Sequence, residues 1–251
     1  MNNIWTSFKN ELGFVTASIQ YSELSFRVLN TEHKEEINGR FLAEFAKQYN
    51  LSISLVPDDM GLRLVGSYII QIQSCVERFL IYYHRLIGSP IYREKYDSKN
   101  DGNYLKWTME HSLADHTKEY EEQYRICDYY RLLRNEIIHH DEKNSPALKA
   151  AYSLVQNVSQ DKLHAPNSIT SICFDDQVLF ARSAKQLVEA IYSKSNYNWE
   201  VILAEHKDDL TSIVGSCKHD QIKSKKKIEN YLRRLYPIPS GGIEVALKLF
   251  N

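Results

Sequence analysis

The chain has 251 residues, 43% of them apolar and 25% charged, with a formal net charge of −1. That is enough for one substantial hydrophobic core, or for a core with a smaller appended lobe, and the proportions are ordinary for a soluble globular protein. Near-neutrality excludes a molecule-wide basic field, so any attraction to nucleic acid has to come from a local patch.

The scarcity of glycine and proline beside 17 tyrosines predicts long helices rather than a turn-rich β fold. Trp5, Phe8, Leu12, Val15 and Ile19 recur at alternating steps of three and four, one face of a helix. Tyr21 to Leu29 reads two ways, because Leu24, Phe26 and Val28 also alternate as in a strand. Ile37, Phe41, Phe45 and Tyr49 predict a second helix, and Leu51 to Asp59 an extended segment closed by Pro57 and Asp58-Asp59. The cleanest helical rhythm runs from Leu62 through Val65, Ile69, Ile72, Val76, Phe79 and Tyr83 to Leu86, stopped by Gly88-Ser89-Pro90. After a polar connection with a turn at Asp101-Gly102-Asn103, a short helix is predicted over Tyr104 to Ala114.

A second strong helix is predicted from about Thr117 to His140, with Ile126, Tyr130, Leu133 and Ile137 as its apolar stripe. Pro146 suits the first position of the next helix, which carries Leu148, Ala151, Tyr152 and Val155. Ile169 to Phe174 reads as a short β-like run, and Phe180, Ala184, Leu187 and Ile191 mark a further helix. Two more helices are predicted near Trp199 to Ile213 and Ile222 to Leu235, before a loop at Pro237 to Gly242. The fold class is therefore all-α.

Cys75, Cys127, Cys173 and Cys217 are far apart and form no CxxC pair, so they read as reduced thiols of a cytoplasmic protein. There is no basic n-region followed by an apolar run, and no membrane-spanning stretch.

The chemistry is sought at the end of the second strong helix, in Arg134-Asn135-Glu136-Ile137-Ile138-His139. An arginine followed a few residues later by a histidine is weak evidence alone, and Arg78 with His84 supplies another such pair, read as a surface pair. Arg134 is distinguished by Asn135, a polar neighbour that both donates and accepts hydrogen bonds. At about 100° per residue, His140 lies about 20° from Leu133 and faces the core, whereas His139 lies roughly opposite Ile137, one turn beyond Asn135. Arg134 and His139 are about 140° apart on an ideal helix. Their side chains can converge at the helix end, or a two-fold partner can supply half of a site.

Arg134-Asn135-x-x-x-His139 resembles the signature of the HEPN superfamily, an Arg, then usually Asn, Asp or His, with a His four to six residues after the Arg. Ser74-Cys75-Val76-Glu77-Arg78-Phe79-Leu80 is similar to the helix that precedes the motif helix in that family. The resemblance covers about residues 59–195 and implies a HEPN-like helical domain there. It leaves 1–58 as an N-terminal helical extension and 196–251 as a C-terminal helical, basic extension. It implies metal-independent RNA cleavage without a cofactor, by a homodimer whose two motifs face one cleft. His139 would be general base or acid, Arg134 would neutralise phosphate charge, and Asn135 would orient His139 or bind phosphate. Many members are toxins or antiphage effectors, which implies a cognate antitoxin or regulatory protein as partner. One branch places a tyrosine two residues after the His; here His140 and Asp141 follow, and that tyrosine is absent. The competing readings are a HEPN-like module that binds RNA or a nucleotide without cutting it, and a structural subunit whose Arg and His form a dimer interface.

Lys223, Lys225, Lys226, Lys227, Arg233 and Arg234 form the densest basic segment and the candidate path for an RNA backbone, with Tyr231 available for stacking; the plainer reading is a solvated helix face. His111, His116, His139, His140, Asp141 and Glu142 are rejected as a metal site, because adjacent helical histidines diverge and no HExxH spacing is present. Glu136 has two readings, an added acid or base and, the plainer one, half of a surface ion pair.

Overall fold

A computed structural model of the chain describes residues 4–32, 39–51, 60–87, 103–139, 145–158, 163–194, 197, 199–217, 220–236, 244–245 and 248. Among them every regular element is helical and none is a strand. In chain order these are α1 (Ile4–Glu32), α2 (Gly39–Gln48), α3 (Met60–Leu86), α4 (Tyr104–Ser112), a 3-10 helix (Ala114–Tyr120), α5 (Glu121–His139), α6 (Pro146–Val155), α7 (Phe174–Lys194), α8 (Trp199–Glu205), α9 (Lys207–Gly215) and α10 (Gln221–Leu235). Among the described residues no helix is long and apolar enough to cross a membrane. The extended reading of Leu51 to Asp59 beyond its first residue, the core-facing orientation of His140 and the loop at 237–242 lie outside the described residues.

Helix starts follow capping chemistry. Asn103 Oδ1 accepts from Lys106 N at 2.7 Å, Ser145 Oγ from Leu148 N at 3.3 Å ahead of Pro146, and Asp220 Oδ1 from Lys223 N at 3.0 Å. Each satisfies an N–H that has no partner inside its helix.

Four expectations change. Tyr21 to Leu29 is helical throughout, as part of α1. The helix expected from Thr117 begins as a 3-10 turn and becomes α-helical only at Glu121. Trp199 to Ile213 is two helices broken at His206. Over Ile169 to Phe174 there is a turn and then the start of α7 at Phe174, with no strand: Ser171 N donates to Ser168 O at 3.0 Å, and Cys173 N finds its acceptor in the Asp176 side chain at 2.8 Å. A backbone satisfied by a buried carboxylate needs no neighbouring strand.

The chain divides into two compact units, each assembled from separated segments. One comprises Met1–Glu11, Ser74–Tyr124 and Ala184–Asn251; the other comprises Leu12–Gln73 and Arg125–Ser183. In the first, Phe8 meets Phe79 edge-on at 5.5 Å, and Ile202, Leu203, Leu210, Ile228, Leu232 and Tyr236 form a fully buried cluster. The break at His206 lets residues of both α8 and α9 enter that cluster. In the second, Tyr130 stacks on Phe180 at 4.9 Å, and a Cβ placed on Gly66 of α3 would lie 3.5 Å from Ile137 Cγ2 of α5. That second unit carries Arg134, Asn135 and His139.

Candidate functional site at the end of α5

The rotation of α5 follows from its apolar stripe. Ile126, Tyr130 and Leu133 are fully buried and Ile137 is half-buried against the Gly66 position, as the periodicity predicts. Glu121 and Glu122 sit in the first turn, where negative charge complements the helix dipole, and His139 is the last residue, where a cation is favoured. With that rotation set, Arg134 and Asn135 come to the half-buried flank and His139 to the exposed end.

Arg134 Nη1 donates to Asn135 Oδ1 at 3.0 Å. The bond takes one of the two lone pairs of the amide oxygen, and a phosphate, which has no proton to give, would meet the Nδ2 donors. The structure thus brings Arg134 and Asn135 together and leaves the His139 imidazole exposed on the last turn. Glu136 has a role that an ion-pair reading misses: its Oε1 accepts the Ser145 N–H at 3.2 Å, tying α5 to the N-cap of α6. Among the described residues no group of three His, Cys, Asp or Glu side chains is placed to hold a metal ion.

The second Arg and His pair comes apart. Arg78 is exposed and paired with Glu11. His84, read from sequence as a surface residue, is 1% exposed. Thr108 Oγ1 donates to Tyr104 O at 2.6 Å, so at 2.7 Å from His84 Nε2 it acts as acceptor for the imidazole N–H. Trp107 packs edge-on against the same ring at 4.9 Å. His84 is a core histidine and cannot meet a macromolecular substrate.

Lys223, Lys225, Lys226, Lys227, Arg233 and Arg234 are all exposed on α10, whose Ser224, Ile228 and Leu232 face inward. Only Glu229 opposes these six cations within the helix, and it pairs with Arg233 at 2.8 Å. Lys227 Nζ donates to Ser216 Oγ at 2.9 Å. The Tyr231 ring is half-buried, and its hydroxyl donates to Asp209 Oδ2 at 2.6 Å and lies 2.9 Å from His206 Nδ1, so the side chain is anchored at its tip.

Two polar clusters were not anticipated from sequence. His206 lies between two tyrosine hydroxyls, Tyr231 at Nδ1 and Tyr236 at Nε2, each at 2.9 Å. Since Tyr231 gives its only proton to Asp209, Nδ1 of His206 must donate to it. Burial, then the hydrogen bond to Asp209, pushes the Tyr231 hydroxyl above the usual tyrosine range. The other cluster surrounds Asp176, joined by Tyr130, Asn167 and Cys173. Its members are separated by up to 46 positions, and no local pattern announces them. A cleft of about 300 Å³ in the first unit is lined by Lys106, Met109, Glu110, Lys118, Glu121 and Tyr124, none of them a sequence-predicted site residue.

No protein-family model matches the chain, and neither a curated protein nor a solved structure matches it.

Proposed function

We propose that the chain is a metal-independent endoribonuclease of HEPN type, working as a homodimer through Arg134, Asn135 and His139. The observation that carries this reading is one helix end that presents a guanidinium bonded to an amide at 3.0 Å together with an exposed imidazole. His139 takes the proton of a ribose 2′-OH as the 2′-oxygen attacks the adjacent phosphorus. Arg134 offsets the charge that develops on the phosphoryl oxygens, and Asn135 donates to phosphate through Nδ2. The P–O5′ bond breaks, the leaving oxygen takes a proton, and the products are a 2′,3′-cyclic phosphate and a 5′-hydroxyl. The second copy supplies the acid that gives the leaving O5′ its proton, so each site draws on two helix ends. The exposed cations of α10 track the RNA backbone. A toxin or antiphage effector is the biological setting that suits such an activity.

The pairing of Arg134 with Asn135, rather than with the imidazole, also favours a second reading, a module that binds RNA or a nucleotide without cutting it. Cleavage of a labelled RNA by wild type and His139→Ala separates the two. The catalytic reading expects cleavage to fall by roughly 100-fold or more, with retained helical circular dichroism and retained RNA binding. Equal cleavage by the two proteins would overturn the assignment of His139. Tight binding with no cleavage by either would leave the binding module.

A further inference from the structure

α1 is apolar on two faces, and the fold uses one of them. Phe8, Leu12 and Ile19 are buried, and Phe26 lies against the Gly61 position of α3. On the opposite side Phe14 is 75% exposed, Tyr21 76%, Leu24 60% and Val28 43%. At about 100° per residue, Phe14, Ala17, Tyr21, Leu24 and Val28 fall within about 80° of one another, roughly half a turn from the buried face. Their spacing is that of successive a and d positions in two heptads, the pattern of a helix that packs along another helix. Other exposed apolar residues, such as Tyr82, Leu154 and Ile222, lie on different helices.

We infer that this seam is an interface between two copies of the chain, joined helix to helix through α1. A two-fold interface brings a surface against itself and so requires one that does not repel its own image. From Gly13 to Ser22 the chain carries no charge, and beyond it Glu23 and Arg27 neutralise each other at 2.8 Å. Gly13, Ala17, Ser18 and Ser25 are small and exposed, which lets two helix backbones approach. The area is also sufficient. Two rings of about 150–250 Å² each, three-quarters exposed, with Leu24 and Val28 present on the order of 500 Å² per copy. A pair that covers these side chains completely buries about 1,000 Å², the lower limit for a specific interface. A lipid surface fits less well, because a helix lying on a membrane carries a lysine- and arginine-rich polar face, and here the opposite face is buried in the fold.

The seam would supply a surface for the dimer of the proposed function, on which it rests for the dimer alone and not for the chemistry. Sedimentation equilibrium of the full chain over a wide concentration range is expected to show a monomer–dimer equilibrium. The double variant Phe14→Glu, Tyr21→Glu is expected to weaken it by roughly tenfold or more, with unchanged circular dichroism. The milder Tyr21→Ser shifts it in the same direction should the double variant fold poorly. Leu154→Glu, on an exposed site elsewhere, leaves the equilibrium as in wild type. A wild type that stays monomeric at every concentration overturns the inference, as does one that stays monomeric and binds phosphatidylcholine vesicles. A dimer equally strong in folded Phe14 and Tyr21 variants overturns the seam while leaving the proposed dimer in place. Cleavage and its dependence on His139 are read separately from all of these.

Discussion

Asp176 is fully buried, and its carboxylate accepts from Tyr130 Oη at 2.8 Å, Asn167 N at 2.8 Å, Asn167 Nδ2 at 2.9 Å and Cys173 N at 2.8 Å. The bond from Cys173 N closes the first turn of α7, as a residue three positions into a helix does when it reaches back to the cap. Removing that oxygen pair by Asp176→Ala leaves several donors without their acceptor at once. The expected loss is about 3 kcal/mol or more in urea unfolding; a change near zero would show that the cluster does not hold the loop. The same residue explains why Ile169 to Phe174 misreads as a strand, since β-like side chains say nothing about where the backbone donors go. At the candidate site, the flanking position of Asn135 and the exposure of His139 follow from helix geometry. The Arg134 to Asn135 bond does not, because it depends on rotamers that only packing selects.

Among the elements, α1 and α10 are each incompletely described by their periodicity. In α1 the strand-like alternation of Leu24, Phe26 and Val28 comes from a helix with two apolar faces, one turned in and one turned out. In α10 the inward stripe of Ser224, Ile228 and Leu232 was foreseeable, and so was the exposure of its cations. The anchoring of the Tyr231 hydroxyl was not, because its partners are on α9 and at His206. If the cations of α10 track RNA, the combined variant Lys223→Glu, Lys225→Glu, Lys226→Glu is expected to lower RNA affinity and flatten its dependence on salt. Each lost phosphate contact removes about 0.7 from the slope of log K against log salt for a single strand. Filter binding at several salt concentrations measures this, and an unchanged slope would return α10 to a solvated helix face.

For the whole molecule, buried phenols and thiols set the alkaline limit. Burial above all, then the charge of Glu11, pushes the Cys75 thiol up to about 11. Burial likewise raises Tyr129, Tyr130, Tyr192 and Tyr197 above the ordinary tyrosine range. In the unfolded chain such groups ionise near about 9 for thiols and about 10 for tyrosines. Groups raised on folding contribute stability that is fully present below those values and is lost as pH rises through the folded ones. The urea midpoint is therefore expected to stay level from neutral pH to about pH 9 and to fall beyond it. A midpoint still level at about pH 11 would mean that these side chains are not buried in solution.

By itself the sequence determined the all-α class, most helix positions and the outward turn of His139, because helical periodicity is a local property written in consecutive residues. Tertiary structure alone decided the rest. It placed His84 in the core, held Tyr231 against His206 and Asp209, and gathered donors onto Asp176 from as far as 46 positions away. It also left the second apolar face of α1 uncovered. Periodicity marks a side chain as apolar and names its face, but only the packing of distant segments determines which faces are covered and which polar atoms meet.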